Sequence, residues 1–266
     1  MSIITLSRGT KSGGAALAEL LAKKLECANV LSREVLVKAS EEYGITEQEL
    51  SDAMQKPPRL IERSIHNPRR LYLTVIRATL LDYAQQGCLI YHGNAGHFLL
   101  KDMDWVLKVR LIAPMEQRVA ALLQTTKLDR YEATQYIKKV DEDRTRWTKF
   151  LYNEDWSDPS HFDIVLNTRT MTLETCAEIL CILAQAPEYR RTEERIRDIA
   201  NRALAAKVCA ALELNAKTRG LDINVTADQS TIKLSGTLDH GGIRPYILQV
   251  VKEVAGVTEV KDNLIT

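Results

Sequence analysis

Three charged residues recur at three-residue spacing in "IKKVDEDRTRW": Lys138, Asp141 and Arg144. On a helix such spacing sets side chains near one face, so a cation, an acid and a second cation would either meet one ligand or form an ordinary surface ion-pair ladder. A second group lies near the start of the chain, in "SRGTKSGGA". Arg8 and Lys11 carry positive charge there, Thr10 and Ser12 carry hydroxyls, and Gly13 and Gly14 let the backbone approach an anion closely. The free N–H groups of a helix beginning after this turn would point at that anion, and the helix dipole adds positive potential. Ser12 is placed either to cap the helix or to offer its hydroxyl to a bound ion. Both groups suit one chemistry, the holding of clustered phosphate oxygens.

The common phosphate loop reads G-x-x-x-x-G-K-[ST]. This chain puts Gly14 where the lysine belongs and Ala16 where the metal-binding hydroxyl belongs. On pattern alone a structural β–α turn and a phosphate site are equally open. The five histidines, His66, His92, His97, His161 and His240, show no ligand spacing, so no metal centre is expected. His92 and His97 flank "GNAG" and are expected to be satisfied or exposed, with lining of an acceptor pocket as the alternative. Trp147 and Trp156 are expected to pack rather than to stack on a base, and "PRR" at 68–70 is expected to be a solvated helix start.

The elements that must position these residues can be read from hydrophobic spacing. Segments 2–7, 88–92, 105–113 and 162–168 read as buried strands. Helical patterns lie between them at 15–25, 70–86, 115–124, 129–152 and 172–185; the first has Leu17, Leu20, Leu21 and Leu25 on one face. Alternating strands and helices imply a parallel sheet covered on both faces, hence an α/β fold. After Pro187 the pattern changes. Residues 188–202 read as a charged helical linker, and 203–266 as a small α+β domain of order α-β-β-α-β. Its hairpin turn, at Asp228–Ser230, lacks glycine, and Asp228 is the residue expected to take the left-handed conformation.

The chain has 266 residues, with 36 basic and 35 acidic side chains. That balance gives no support for a nucleic-acid partner. Cys27, Cys88, Cys176, Cys181 and Cys209 form no CxxC pair, so free thiols in a reducing compartment are expected. With no export signal and no apolar run long enough to span a bilayer, a cytoplasmic location is expected.

Several segments in one order resemble the cytidylate kinase-like family of P-loop nucleoside monophosphate kinases. They are "SRGTKSGG", "SREVL" at 32–36, "IYHGNAGHFLL" at 90–100, "VLKVRLIAPMEQRV" at 106–119, and the run from "IKKVDEDRTRW" to "NEDWSDPSHFDIVLNT" ending at 168. The resemblance spans 2–186. It implies a P-loop kinase-like sheet, transfer of a phosphoryl group from ATP to a pyrimidine monophosphate, and a magnesium ion. It implies that Arg8, Thr10, Lys11, Ser12, Gly13 and Gly14 hold donor phosphates, that Arg33 and Asn94 meet the acceptor, and that Lys138, Asp141 and Arg144 form the lid. Asn94 stands where the family has an arginine, and a neutral amide makes no charge-assisted bidentate contact to phosphate. Residues 203–266 resemble a BON domain, carried by "LSG" and "AGVTEVKDNL". This implies binding of a phospholipid, a small ligand or a protein partner.

The expected organisation is therefore a kinase-like domain at 1–187, a linker at 188–202 and a BON domain at 203–266. Because Gly14, Ala16 and Asn94 replace chemically active residues, nucleotide or anion sensing is expected ahead of catalysis. An active CMP or related monophosphate kinase using ATP and magnesium, and a non-catalytic scaffold, are the alternatives. The oligomeric state is not legible.

Overall fold

The computed structural model describes residues 2–55, 68–93 and 95–266. Asn94 and His66 lie outside the described residues. Five parallel strands, β1 (Ile3–Arg8), β2 (Asn29–Leu31), β3 (Leu89–Tyr91), β4 (Leu107–Ile112) and β5 (Ile164–Asn167), form one sheet in the order β2-β3-β1-β4-β5. β1 is central and buried from Ile3 to Ser7, with Ile3, Ile4 and Leu6 in the core, as befits a strand covered on both faces. Helix α1 (Gly14–Leu25) packs Leu17, Ala18 and Leu21 onto the sheet, together with Cys176, Ala177 and Leu180 of α8 (Leu173–Ala184). The four strands expected from hydrophobic spacing are present. β2 was not among them, because three residues are too few to show a period.

The remaining helices are α2 (Glu34–Tyr43), α3 (Glu47–Gln55), α4 (Pro68–Gln85), α5 (Gly96–Leu99), α6 (Met115–Leu123), α7 (Arg130–Tyr152), α9 (Glu193–Leu214) and α10 (Arg244–Lys252). α7 starts sharply. The Asp129 carboxylate accepts from the Glu132 N–H at 2.8 Å, and the Glu132 carboxylate accepts from the Asp129 N–H at 2.9 Å. Among the described residues no helix is long and apolar enough to cross a membrane.

Packing divides the chain into two compact units. One holds the five-stranded sheet with α1 and α5–α8; the other joins α2 from Val35, most of α3, and α4 to α9 and the C-terminal elements. In the second unit a small sheet runs β6 (Asn224–Asp228), β7 (Thr231–Thr237), β8 (Glu259–Ile265), with β6 antiparallel and β8 parallel to β7. Its core gathers Val208, Ile232, Leu234, Ile247 and Val251. The charged stretch after Thr192 and the apolar stretch after it form one unbroken helix, α9. α4 and α9 are held together by charge. Asp82 binds Lys38 at 2.7 Å and Lys207 at 2.8 Å, and Arg70 binds the buried Glu213 at 2.8 Å. Arg70, expected to be solvated, is therefore engaged.

Two expectations are corrected here. In the β6–β7 turn it is Gln229, not Asp228, that adopts positive φ (54°); its N–H donates to Asn201 Oδ1 at 2.8 Å, which holds the turn in place. The thiols are not all free, for Cys27 and Cys88 form a disulfide. Asn29 and Leu89 are partners in the β2–β3 register, so the residues just ahead of these strands are brought side by side, with Cα atoms 5.3 Å apart. Cys176, Cys181 and Cys209 remain free. The cysteine count thus carries no argument for a reducing compartment.

Candidate functional site

The turn between β1 and α1 is the natural anion site of this architecture, because it lies at the carboxyl end of the central strand and at the head of a helix. Gly13 is the N-cap, with φ 90°, a conformation costly for any other residue. No side chain caps the helix. The N–H groups of Gly13, Gly14, Ala15 and Ala16 have no hydrogen-bond partner among the described residues. Other loop amides are engaged: the Thr10 N–H donates to Asp141 Oδ1 at 3.2 Å, and the Ser12 N–H donates to the Gly9 carbonyl at 3.2 Å.

The side chains of the turn diverge. Ser12 is buried and its hydroxyl donates to the Gly9 carbonyl at 2.9 Å, so it neither caps α1 nor faces a ligand. Lys11 is exposed and donates to Thr125 Oγ1 at 3.0 Å, away from the helix head. Arg8 goes the other way. A Cβ built on Gly14 would lie 1.9 Å from Arg8 Cδ, so the arginine runs directly across the glycine. The missing side chain at Gly14 is therefore what lets Arg8 reach the head of α1. Arg8 has no carboxylate partner among the described residues, and burial lowers its pKa.

α7 closes over this turn through Asp141 and Arg144. The Asp141 carboxylate accepts from Thr10 Oγ1 at 2.8 Å, from the Thr10 N–H and from Arg118 Nη2. Arg118 Nε also donates to the Thr10 carbonyl at 2.8 Å. Arg144 Nη1 donates to Thr10 Oγ1 at 3.1 Å and to the Arg8 carbonyl at 3.2 Å. Burial, then the neighbouring Arg8, pull the Arg144 pKa down to about 10, against the pull of Asp141. Lys138 does not join them; it is exposed. A three-residue step advances a helix about 60° less than a full turn, so two steps place Lys138 about 120° from Arg144. The face that meets the turn is Ile137, Asp141, Arg144 and Thr148, at the four- and three-residue spacing of a buried stripe.

Arg8 and Arg144 line a cavity of about 20 Å3 with Gly93, His97, Trp147 and Trp156, room for a group about the size of a water molecule. His97 is 3% exposed, and neither ring nitrogen has a partner among the described residues. Burial, then His161 and the cations Arg110 and Lys108, push its pKa down to about 3, so the ring is neutral at ordinary pH. His97 thus departs from the expectation of a satisfied or exposed histidine. Trp156 is buried as expected, but it serves the site. Arg110 stacks on its ring at 4.3 Å and donates to its carbonyl at 2.8 Å. Arg33 is exposed, in the bend between β2 and α2, and does not line this cavity. Hydrophobic spacing does not single out Arg110 or Arg118 as partners of the turn, because only the pairing of β1 with β4 and the packing of α7 bring them there.

A magnesium ion of the kind the phosphate loop normally holds needs an oxygen ligand near the helix head. Ala16 supplies none, Ser12 is turned inward, and both carboxylate oxygens of Asp141 already accept from Thr10 and Arg118. The donor set of this turn does not fit a loop-held magnesium.

The profile of the cytidylate kinase-like family matches residues 3–170, and that of the BON domain matches residues 200–266. A cytidylate kinase of Ignicoccus hospitalis is 26% identical over 182 residues, 68% of this chain and 97% of that protein. A cytidylate kinase of Methanopyrus kandleri is 25% identical over 186 residues, 67% of this chain and 90% of that protein. In fold, the chain is similar to a crystal structure of an uncharacterized protein from Eubacterium ventriosum, with a TM-score of 0.53 and 18% identity over 68% of this chain and 97% of that one.

Proposed function

The chain belongs to the cytidylate kinase-like family, and from that premise we propose that its N-terminal domain binds a nucleotide or another phosphate-bearing anion in a sensing role, ahead of catalysis. One observation carries this reading. Arg118 and Arg144 share the Asp141 carboxylate, while Arg8, beside Arg144, has no carboxylate partner among the described residues, and open amides lie at the head of α1. Partly buried positive charge in excess of its carboxylates is costly until an anion arrives. The changes that weigh against turnover lie in the same turn. Gly14 brings no lysine to the transferred group, and neither Ala16 nor the inward-turned Ser12 offers a hydroxyl to a metal. Removal of one such stabilising group from a phosphoryl-transfer site costs on the order of 3 kcal/mol of transition-state stabilisation.

A second reading is an active kinase transferring a phosphoryl group from ATP to CMP or a related monophosphate. It is favoured by the names of the two curated relatives and by the match over nearly all of their length. The C-terminal residues we assign to ligand or partner binding, following the BON match. Within the second compact unit these elements are joined to α2–α4, which supports a role in which their occupancy acts on those helices.

The deciding experiment mixes the pure protein with magnesium-ATP and a panel of nucleoside monophosphates, and follows ADP release beside calorimetric titration of each nucleotide. Binding without turnover is the expected result. Turnover with CMP selects the kinase, and absence of both leaves a scaffold. Co-sedimentation with phospholipid vesicles separates a lipid ligand of the BON residues from a soluble one.

A further inference from the structure

A loop that has lost its lysine and its metal-binding hydroxyl lacks the two usual sources of positive charge on a bound phosphate chain. We propose that Arg8, laid across Gly14 at the head of α1, supplies that charge with Arg144, so that the site binds the phosphate groups of its ligand without a metal ion. The inference rests on the phosphate-binding reading above and adds to it a metal-free mode of binding and the residue responsible.

Three independent observations converge. First, Arg8 crosses the spot a side chain at position 14 would fill: its Cδ and Nε would lie 1.9 and 2.8 Å from a Cβ there. A guanidinium thus comes to the helix head from β1, where a lysine would come from α1 itself. Second, Arg8 has no carboxylate partner among the described residues, and Arg144 shares the Asp141 carboxylate with Arg118 and Thr10. Third, the cavity these arginines line also receives His97, nearly fully buried and with neither ring nitrogen partnered among the described residues. Such a group in a native core marks a place for a missing partner. A neutral imidazole donates one hydrogen bond and accepts another, which suits a phosphate oxygen or the water beside it. The cavity itself admits a group of that size. A planar guanidinium meets two phosphate oxygens at once, which offsets charge and fixes geometry in the absence of a metal.

The test is calorimetric titration of the full chain with ATP, once in excess EDTA and once in magnesium. The expected Kd in EDTA lies within about threefold of that in magnesium. Arg8→Gln is expected to weaken ATP binding in EDTA by tenfold or more, and Arg8→Lys to fall between, since it keeps a charge but loses the fork. Gly14→Ala provides a second variant that leaves every charge in place. Its methyl displaces Arg8, and it is expected to weaken ATP as Arg8→Gln does, with an unchanged near-ultraviolet circular dichroism spectrum. ATP binding that improves more than tenfold with magnesium overturns the metal-free mode while leaving the phosphate site standing. Unchanged affinity in both variants overturns the role of Arg8. No heat with ATP, CMP or pyrophosphate in either buffer removes the phosphate reading itself.

Discussion

Replacing Asp141 with asparagine tests the charge balance of the site. The amide keeps an acceptor for Thr10, so the turn retains its hydrogen bonds, but the negative charge shared by Arg118 and Arg144 disappears. Those side chains are 11% and 15% exposed, and Asp141 is 23% exposed. Stranding a buried charge costs about 3–5 kcal/mol, and the partial access of water to Asp141 reduces this to about 2–3 kcal/mol. For a unit of this size that is a fall in melting temperature of about 5–10 °C. All three tryptophans, Trp105, Trp147 and Trp156, lie in the unit that holds the site, so tryptophan fluorescence follows its melting alone. The same substitution makes the pocket more positive. Pyrophosphate is therefore expected to bind roughly a fewfold tighter and to raise the melting temperature more than it does in the parent protein. If Asp141→Asn melts within about 1 °C of the parent and binds pyrophosphate no tighter, Asp141 does not balance the arginines and the reasoning fails.

His97 gives a pH signature. Its folded pKa, about 3, lies below the ordinary 6.5, so the unfolded chain takes up the proton first. Its contribution to stability is complete above pH 6.5 and is lost as pH falls toward 3, at about 1.4 kcal/mol per pH unit; urea titrations of His97→Phe between pH 7 and 4 are expected to show that much less slope. The disulfide between Cys27 and Cys88 closes a separation of 61 residues, for which loop entropy gives about 4 kcal/mol and typical measurements about 2–4 kcal/mol. Cys27→Ser is expected to lose that much in urea unfolding and to become insensitive to dithiothreitol, while the denatured parent titrates three thiols rather than five. Asp82 has its pKa lowered: burial would raise it, but hydrogen bonds from Lys207 and Lys38 outweigh that. Asp82→Ala is expected to destabilise the second unit by about 1–2 kcal/mol, and equal urea midpoints for Asp82→Ala and the parent would rule out the Lys38–Asp82–Lys207 bridge as a stabilising contact. Lys138→Ala, at an exposed position about 120° around α7 from Arg144, is expected to leave ATP affinity within about twofold, a change under about 0.5 kcal/mol.

Local chemistry was legible wherever neighbours in sequence are neighbours in space. The glycine turn after β1, the start of α7 at Asp129 and the hydrophobic faces of α1 and α8 follow from periodicity and capping, which act within one or two turns of chain. The two resemblances carried the architecture further, to a parallel sheet followed by a small α+β module. Of the three residues expected to form a lid, Asp141 and Arg144 reach the turn while Lys138 does not, because a three-residue spacing drifts around a helix and only the packed face decides which side counts.

What tertiary structure alone decided is where each charge ends. Ser12 and Lys11 belong to the turn by sequence, yet the fold faces one inward and the other to Thr125. Arg118 and His97 are distant in sequence, and strand pairing with helix packing brings them to Asp141 and to Arg8. Cys27 and Cys88 meet for the same reason, since the register of two neighbouring strands cancels the 61 residues between them. Hydrophobic spacing specifies which face of an element is buried, whereas the direction of a long polar side chain depends on which partner the folded core leaves within its reach.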